Sequence, residues 1–400
     1  MRLILYFVFM LLMSYSRGQA PHHPDSMIQP EPYNFILGTN TIGGKYQFTN
    51  ESKLLEQARQ VRSMGSNILK ISLGEKSPQM YGLKMDKKPS TTLELFRSHA
   101  DYKQVFNMDF RYIFMWVHTL TNIDWKNGID PTQEKTLYQE MFDFTAHLLS
   151  AYNHSGKTFL IGNWEGDWLL HPNYDRKAIP SPDRIANMTK WFQIRQRAIE
   201  DARAAVRHQN VSVFHYIEVN LVLKSLKGEP CITQSILPQV NVDLVSYSSY
   251  EAIKNRTYEE KKNELNRIFE HIEARLKPHA SIPFGRRVFI GEYGYHANIN
   301  HPESFKKQYE ETRDIMKISL ELNIPFALHW QMYNNEYEAD GTSKQMSLIN
   351  EQGEKMPLYH LHQKYYINMN EYLSEYKKAN QRYPSERLFR EKAMDVINGL

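Results

Sequence analysis

The sequence predicts an α/β fold, a single-domain (β/α)8 TIM barrel, and three observations support this prediction. Eight short apolar runs occur along the chain, and segments of helical periodicity separate them, as in parallel strands joined by helices. Eight is the number of strands with which such a barrel closes. Cys231 is the only cysteine among 400 residues, so no intrachain disulfide can form and a large apolar core must hold the fold.

The predicted elements follow one another in a regular order. The strands are 35–38, 67–72, 112–117, 158–163, 211–219, 244–247, 287–291 and 326–330. Helical periodicity is clearest over 54–64, 136–150, 182–208, 258–276 and 304–322, and a last helix is expected over 358–372. Asn323 and Pro325 stop the helix before the eighth strand. Residues 21–374 are therefore assigned to the barrel, and the charged residues 375–400 to a helical tail that either packs on the barrel or frays.

An open, doubly wound sheet is the competing fold. It would carry a Gly-rich phosphate-binding loop after the first strand. The segment there, Thr41-Ile42-Gly43-Gly44, has the wrong spacing for such a loop. The sequence therefore favours the barrel, and we expect no cofactor.

Residues 1–20 have the features of a secretory signal peptide. A basic residue, an apolar run and a segment rich in small residues follow in that order. The run is too short to span a bilayer, and no later stretch is apolar enough, so no membrane span is expected. Five sequons for N-glycosylation fit an exported chain: Asn50, Asn153, Asn187, Asn210 and Asn255. Secretion and delivery to an acidic organelle such as the lysosome both remain open.

The charge balance gives no support for nucleic-acid binding. The formal net charge is +4, and the 49 basic residues are interspersed with 45 acidic ones. The 25 tyrosines and 19 phenylalanines belong mostly to the core, although flat rings also suit the apolar face of a sugar.

Two predicted strands end in glutamates. The fourth ends in IGNWEGDW, which carries Glu165, and the seventh ends in FIGEYG, which carries Glu292. Barrel enzymes place catalytic groups at the carboxyl ends of strands, and these two strands lie on opposite sides of the ring. Such a carboxylate pair suits glycoside hydrolysis, with separations of about 5–5.5 Å for retention and about 6.5–9.5 Å for inversion. A solvated loop glutamate is the alternative for each residue.

This arrangement resembles clan A of the glycoside hydrolases, whose barrels carry the acid/base glutamate after strand four and the nucleophile after strand seven. The resemblance spans all eight units. It implies that Glu165 is the acid/base and Glu292 the nucleophile of a secreted hydrolase that cleaves β-linked glycosides with retention. It also implies that Trp330 forms an aromatic floor under the sugar.

One feature departs from the clan pattern. Clan members usually carry Asn directly before the acid/base, whereas Trp164 separates Asn163 from Glu165 here. A bulge at Trp164 would restore the usual geometry. In a regular strand, Asn163 would lose its contact with the substrate, and Asp167 would become a competing acid.

Two tyrosines of the sixth strand end are candidates to bind Glu292. The acid must be protonated and the nucleophile ionised. We expect the charge of Glu292 to raise the pKa of Glu165, and a tyrosine hydroxyl to keep Glu292 anionic. Either Tyr250 or Tyr247 can be this donor.

Three further residues at strand ends are candidates for substrate binding. His118, after the third strand, resembles a substrate-binding histidine of some clan members. Asn40 and Asn220 follow the first and fifth strands, and turn or cap roles explain them equally well. No metal site is predicted, because neither HExxH nor HxxEH occurs and His22, His23, His360 and His362 lack partners at ligand spacing.

Three functions are compatible with these features. The first is the glycoside hydrolase, acting on an oligosaccharide, polysaccharide or glycoconjugate. The second is a carbohydrate-binding barrel that has lost turnover, although both carboxylates are present. The third is a metal-dependent barrel hydrolase, for which the sequence lacks the necessary histidine cluster.

Overall fold

The computed structural model describes residues 33–121, 123–279 and 282–400. The expected signal peptide, together with His22 and His23, lies outside the described residues. No helix in these ranges is both long and apolar enough to cross a membrane.

Eight parallel strands close into a barrel in chain order, which confirms the predicted fold. The last strand pairs with the first, with Leu37 opposite Ala327. The strands are β1 (Leu37–Asn40), β2 (Ile68–Leu73), β3 (Tyr112–Val117), β4 (Thr158–Gly162), β5 (Ser212–Val219), β6 (Leu244–Ser248), β7 (Val288–Tyr293) and β8 (Ala327–His329).

Helices surround this barrel. They are α1 (Lys53–Met64), α2 (Ser77–Tyr81), α3 (Thr92–Ser98), α4 (Ala100–Asn107), α5 (Pro131–Ala151), α6 (Gly166–Leu170), α7 (Pro182–Ala205), α8 (Val222–Ser225), α9 (Tyr250–Ile253), α10 (Tyr258–Glu273), α11 (Glu303–Glu321), α12 (Pro357–Asn380) and α13 (Glu386–Asn398). Single 3-10 or π turns lie at Trp125–Asn127, Pro172–Tyr174, Ile232–Ile236 and Leu237–Gln239.

Local sequence signals fix several helix ends. Asp130 and Gln133 form a capping box at the start of α5, and Thr257 and Glu260 form one at the start of α10. In each box the two side chains satisfy backbone N–H groups that have no partner within the helix. Gly65 ends α1 in the left-handed conformation (φ 108°), which glycine adopts without steric strain.

Aromatic side chains fill the barrel interior. Phe114 of β3 packs against Phe289 of β7 at 5.2 Å between ring centroids and against Phe326 at 5.0 Å. Tyr216 of β5 lies 5.5 Å from Phe289. Because alternate residues of a strand face the same side, the residues two positions further along these strands also point inward, towards the mouth of the barrel.

The tail packs on the barrel. The ring of Phe389 is fully buried and lies 4.4 Å from that of Tyr33. Arg390 donates to the carbonyls of Ser319 and Ile324. α12 continues past residue 374 without a break, so the expected barrel–tail boundary falls within a helix.

Candidate active site

Glu165 follows β4 in a tight turn. Gly162, the last residue of β4, faces the ring of Tyr216, and a Cβ here would lie 2.1 Å from it. The amide of Asn163 donates to the carbonyl of Trp164 (3.0 Å) and accepts from the backbone N–H of Glu218 (3.3 Å). Asn163 is thus fully buried and joins the turn to β5.

Glu292 lies at an irregularity in β7. The pairing of β6 with β7 passes from Tyr247–Ile290 directly to Ser248–Glu292, so Gly291 is the extra residue. A Cβ on Gly291 would lie 1.7 Å from the Ser246 hydroxyl oxygen, so no other residue fits. Bulges redirect side chains next to active sites, and this one gives Glu292 the inward direction of its strand partner Ser248.

A third carboxylate, Glu218 of β5, lies directly below the mouth and is fully buried. Its Oε1 accepts from the indole N–H of Trp116 (3.1 Å) and from the backbone N–H of Glu165 (3.2 Å). Its Oε2 accepts from Lys70 (2.7 Å) and from the hydroxyl of Ser246 (2.7 Å). Glu218 therefore holds the backbone of one candidate catalytic residue in place.

Lys70 of β2 connects this carboxylate to the other candidate. Its Nζ lies 2.7 Å from Oε2 of Glu218 and 3.8 Å from Oε1 of Glu292. The same ammonium group lies over the ring of Trp116, 4.6 Å from the centroid, and donates to the carbonyl of Gly291 (3.2 Å). Lys70 thus provides a positive charge on the Glu292 side of the site.

Sequence reasoning missed Lys70 and Glu218. Both stand within strands, in the segments ILKISL and FHYIEV, and not at strand ends. Lysine and glutamate are rarely fully buried unless they are paired. A single charged residue inside each apolar strand is therefore the signal that could have identified this pair.

The pKa values of both candidate carboxyls are raised. Burial raises the pKa of Glu165 to about 7; Ser248 and Lys70 oppose this effect, and the charge of Glu218 adds to it. Burial raises the pKa of Glu292 well above its usual range, and the charges of Glu165 and Glu218 raise it further. Burial, and not the expected charge of Glu292, is thus the main cause at Glu165.

The charge of Glu165 is among the causes that raise the pKa of Glu292, so protonation of Glu165 favours ionisation of Glu292. Lys70 lies within 3.8 Å of Glu292 and favours the ionised form of that residue. Lys70 forms an ion pair with Glu292 and none with Glu165, so this contact favours the proton on Glu165.

The two tyrosine candidates have different positions. Tyr247 faces the helix layer, where its hydroxyl donates to Glu251 (3.3 Å) and its ring contacts Phe269. Burial, followed by the charges of Glu292 and Glu165, raises the pKa of Tyr250. Tyr250 therefore lies near the two glutamates. Oε1 of Glu292 has no hydrogen-bond partner among the described residues, so the expected tyrosine donor to this atom is absent.

Asp167 is not positioned as a competing acid. It is fully buried, and its carboxylate accepts from the backbone N–H groups of Asn220 (2.8 Å), Leu221 (3.0 Å) and Ile232 (2.7 Å). Burial raises its pKa, and these three donors oppose that effect. The side chain anchors the loop after β5 through both of its oxygens.

Several buried polar atoms near the strand ends have no partner among the described residues. Among them are Oδ1 of Asn40, Oδ1 of Asn220 and the indole nitrogen of Trp330. The amide nitrogen of Asn40 is bound to the carbonyl of His329 (3.1 Å), and the ring of Trp330 lies 5.9 Å from that of Trp116. Water, or hydroxyl groups of a ligand, would satisfy them.

His118 follows β3. Burial, and then the charge of Arg195, lowers its pKa to about 4. The ring is therefore neutral at physiological pH and suits a hydrogen-bonding role more than an acidic one.

A group of potential metal ligands, Glu200, Asp243 and His279, lies away from these residues. Asp243 precedes β6 and so lies at the opposite end of the barrel. It already accepts from Arg203 (2.9 Å) and from the backbone N–H of His215 (2.7 Å). This group forms an ion-pair network that joins α7 to β6.

The sequon asparagines are accessible to different degrees. Asn50, Asn210 and Asn255 are exposed, and Asn153 and Asn187 are half-buried. Their glycosylation stays a prediction.

No protein-family model and no curated protein matches the chain, whereas many solved structures share its fold. A GH5 cellulase described as Bacteroidetes-affiliated superposes with a TM-score of 0.52 at 13% identity, over 90% of this chain and 95% of that one. A GH5_18 structure from Streptomyces cattleya in complex with GlcNAc gives 0.55 at 11% identity, over 90% and 83%. A family 5 xyloglucanase from Paenibacillus pabuli gives 0.50 at 10% identity, over 91% and 99%. At these identities the similarity shows the fold.

Proposed function

We propose that this chain is a retaining glycoside hydrolase that cleaves β-linked glycosides by double displacement. The observation that carries the proposal is the pair of glutamates, the half-buried Glu165 and the buried Glu292, which reach the barrel mouth from β4 and β7. The sugar-processing enzymes among the similar structures support a carbohydrate substrate.

In the first step Glu292 is the nucleophile. Its carboxylate, kept anionic by Lys70, attacks the anomeric carbon, and the bond from that carbon to the leaving-group oxygen breaks. Glu165 donates its proton to this oxygen. The product is a glycosyl ester on Glu292 and a free aglycone.

In the second step Glu165 is the base. Esterification removes the negative charge of Glu292 from the neighbourhood of Glu165, so the pKa of Glu165 falls. Glu165 accepts a proton from water, and the water oxygen attacks the anomeric carbon. The ester bond breaks, Glu292 is released as a carboxylate, and two inversions give net retention.

The other groups at the mouth position the sugar. Trp330 offers a ring for stacking, and the carbonyl oxygens of the Asn40 and Asn220 amides can accept from sugar hydroxyls. Glu218 and Lys70 touch the catalytic glutamates and not the sugar, so they are positioning residues.

The test is hydrolysis of a panel of aryl β-glycosides and β-linked oligosaccharides, with the first-formed anomer identified by NMR. We expect turnover and initial release of the β-anomer. Initial release of the α-anomer would contradict the double displacement. Sugar binding without turnover on any member of the panel would favour the carbohydrate-binding barrel.

We also propose that the chain is secreted or delivered to an acidic organelle as a glycoprotein. The apolar leader and the three exposed sequon asparagines support this proposal. The test is to express the chain in a eukaryotic cell, to collect it from the medium and from the lysosomal fraction, and to measure its mass before and after enzymatic removal of N-glycans. An unglycosylated chain that stays in the cytosol would contradict it.

A further inference from the structure

The loop that carries Glu165 also presents an exposed tyrosine. Tyr174 ends the short turn Pro172–Tyr174, and 57% of its surface is exposed. This loop connects β4 to α7, so it lies at the carboxyl end of the strands, where barrel enzymes bind their substrates. Binding residues are often found on such loops, and Tyr174 is therefore placed where it can contact a substrate.

Tyr174 contacts Trp164, the residue directly before Glu165. Their ring centroids are 6.2 Å apart, and the ring planes are inclined by 50°. At this distance and inclination neither ring covers the face of the other, so a face of Tyr174 stays open to solvent. Trp168, one helical turn after Glu165, is half-buried, and a hydrogen bond from its side chain opposes the rise in the pKa of Glu165. Aromatic rings thus lie next to Glu165 on the β4 side of the site, whereas Glu292 comes from β7.

The backbone holds Tyr174 in an unfavourable conformation. Asn173 (φ 53°) and Tyr174 (φ 57°) both lie in the left-handed region, in which a bulky residue is uncommon. Such a conformation persists only where the surrounding structure enforces it, and it is frequent at ligand-binding sites. Here the ring of the buried His171 closes the loop through a hydrogen bond with the carbonyl of Ala178 (2.6 Å). The loop therefore presents the tyrosine ring in a fixed position at a cost in stability.

The neighbours of Tyr174 in this loop are polar. Asn173 and residues 175–177 are exposed, and they separate Tyr174 from the next exposed apolar side chain, Ile179. A protein partner or a membrane would require a contiguous apolar patch. A single open ring with hydrogen-bonding groups on both sides suits a sugar instead, because a pyranose has an apolar face that complements a flat ring and hydroxyl groups at its edge.

We propose that Trp164 and Tyr174 form the subsite for the sugar ring on the leaving-group side of the bond that is cleaved. Glu165 protonates the leaving-group oxygen in the proposed reaction, so the ring attached to that oxygen lies on the Glu165 side of the carboxylate pair. The substrate is then an oligosaccharide or a polysaccharide, and not a glycoside with a small alkyl aglycone. This inference rests on the proposed function and specifies its substrate class.

The test uses three derivatives of the sugar that the enzyme accepts: the β-glycosyl fluoride, the 4-nitrophenyl β-glycoside and the β-linked disaccharide. The fluoride has no ring on the leaving-group side, whereas the other two have an aromatic ring and a sugar ring there. kcat/KM is measured for the wild type, Y174A, Y174F and the control Y376A, after enzymatic removal of any N-glycan.

Y376A is a matched control. Tyr376 is half-buried on α12, and its ring also contacts one neighbouring ring, that of Tyr372 at 5.8 Å. Because the helix after a barrel strand runs back from the mouth, the end of α12 that carries Tyr376 lies away from the active site.

We expect Y174A to lose about tenfold in kcat/KM on the disaccharide, since an aromatic contact is worth up to about that factor, and to stay within about twofold of the wild type on the fluoride. Y174F keeps the ring and should stay within about twofold on every substrate, as should Y376A. A loss on the fluoride as large as that on the disaccharide would show that Tyr174 only supports the fold around Glu165, and would overturn the subsite.

Two further results would overturn the subsite while leaving the proposed function intact. One is equal kcat/KM of Y174A and Y376A on the disaccharide. The other is a loss by Y174A on the 4-nitrophenyl glycoside alone, which would indicate a site for an aromatic aglycone and not for a sugar.

Absence of turnover by the wild type on every substrate would count against the proposed function, and equilibrium binding would then decide the subsite. The probes are cellotetraose, xylotetraose and mannotetraose, titrated by calorimetry into the wild type, Y174A and Y376A. Binding of one probe about tenfold weaker to Y174A than to Y376A would support a sugar-binding surface at Tyr174. Equal binding by these two variants, or no binding of any probe by the wild type, would overturn it.

Discussion

Two kinds of buried carboxylate meet at the mouth of this barrel. Glu218 and Asp167 are bound on both oxygens, Glu218 by four donors and Asp167 by three backbone N–H groups. Glu292 keeps an oxygen without a hydrogen-bond partner among the described residues. The carboxyl group is the same, and its hydrogen-bond partners distinguish the carboxylates that support the fold from the one that is available to a substrate.

The difference in hydrogen-bond partners also affects the pKa values of these carboxyls. A buried carboxylate with donors is stabilised as an anion, whereas one without donors retains its proton more strongly. Glu165 and Glu292 both have raised pKa values. The protein thus keeps two carboxyls in an unfavourable environment where the proposed reaction needs them, and function often has such a cost in stability.

The largest expected effect is on activity. E165Q and E292Q should each lower kcat on a natural glycoside on the order of 10³-fold, because each removes an acid/base or a nucleophile. Both variants should stay close to the wild type in stability, since Lys70 keeps its shorter ion pair with Glu218 (2.7 Å). Steady-state kinetics and thermal unfolding measure both effects, with E391Q on α13 as an exposed control. If a variant retained a tenth of the wild-type kcat, the catalytic role assigned to the substituted glutamate would be wrong.

The opposite pattern is expected at Glu218. E218Q leaves the buried Lys70 without its partner, and breaking a buried ion pair costs about 3–5 kcal/mol of unfolding free energy. Urea unfolding of E218Q beside E292Q gives the comparison. Equal stability of these two variants would show that the distinction between bound and unbound carboxylates is wrong.

Next in size is a change in pH dependence. The rate should fall as pH rises through about 7, because Glu165 must hold its proton and its pKa is about 7. K70M removes a positive charge and should move the profile of kcat/KM to higher pH, whereas E218Q removes a negative charge and should move it to lower pH. Tyr250 and Glu336 also face the pair and stay unchanged in both variants. Shifts in the same direction would contradict the charge assignments.

The smallest effect concerns two tryptophans. The indole N–H of Trp116 binds Glu218 (3.1 Å), whereas that of Trp330 has no partner among the described residues. W116F should lose about 1.5–3 kcal/mol, the value of a hydrogen bond to a charged group, and W330F less than about 1 kcal/mol. W330F should instead raise KM for the substrate. The reverse order of stabilities would contradict the role of the Trp116–Glu218 hydrogen bond, and an unchanged KM for W330F would contradict a substrate contact at Trp330.

Much of the fold could be predicted from the sequence because barrel strands are continuous apolar runs. β3 has the predicted bounds, and most of the other strands begin or end one or two residues away from them. The short helices α2 to α4 were not predicted. They have five to eight residues each, too few for a helical periodicity to emerge.

The site was predictable only where it coincides with strand ends. Glu165 and Glu292 follow this rule, whereas Lys70 and Glu218 meet across the barrel from positions 148 residues apart, which no local pattern reveals. Asp167, which is an alternative acid only if the strand stays regular, illustrates the limit of position along the chain. Its position beside Glu165 suggested an acid, but its donors come from the loop after β5, and proximity in sequence does not give the direction of a side chain.

The most direct test of the central claim is to trap the glycosyl ester. A 2-deoxy-2-fluoro β-glycoside with a good leaving group, matched to the sugar that the enzyme accepts, should slow the second step more than the first. Mass spectrometry should then find one glycosyl unit on the wild type, located on Glu292 by peptide mapping, and none on E292Q. A label on Glu218 or Glu165, or the same label on E292Q, would contradict the assignment of Glu292 as nucleophile.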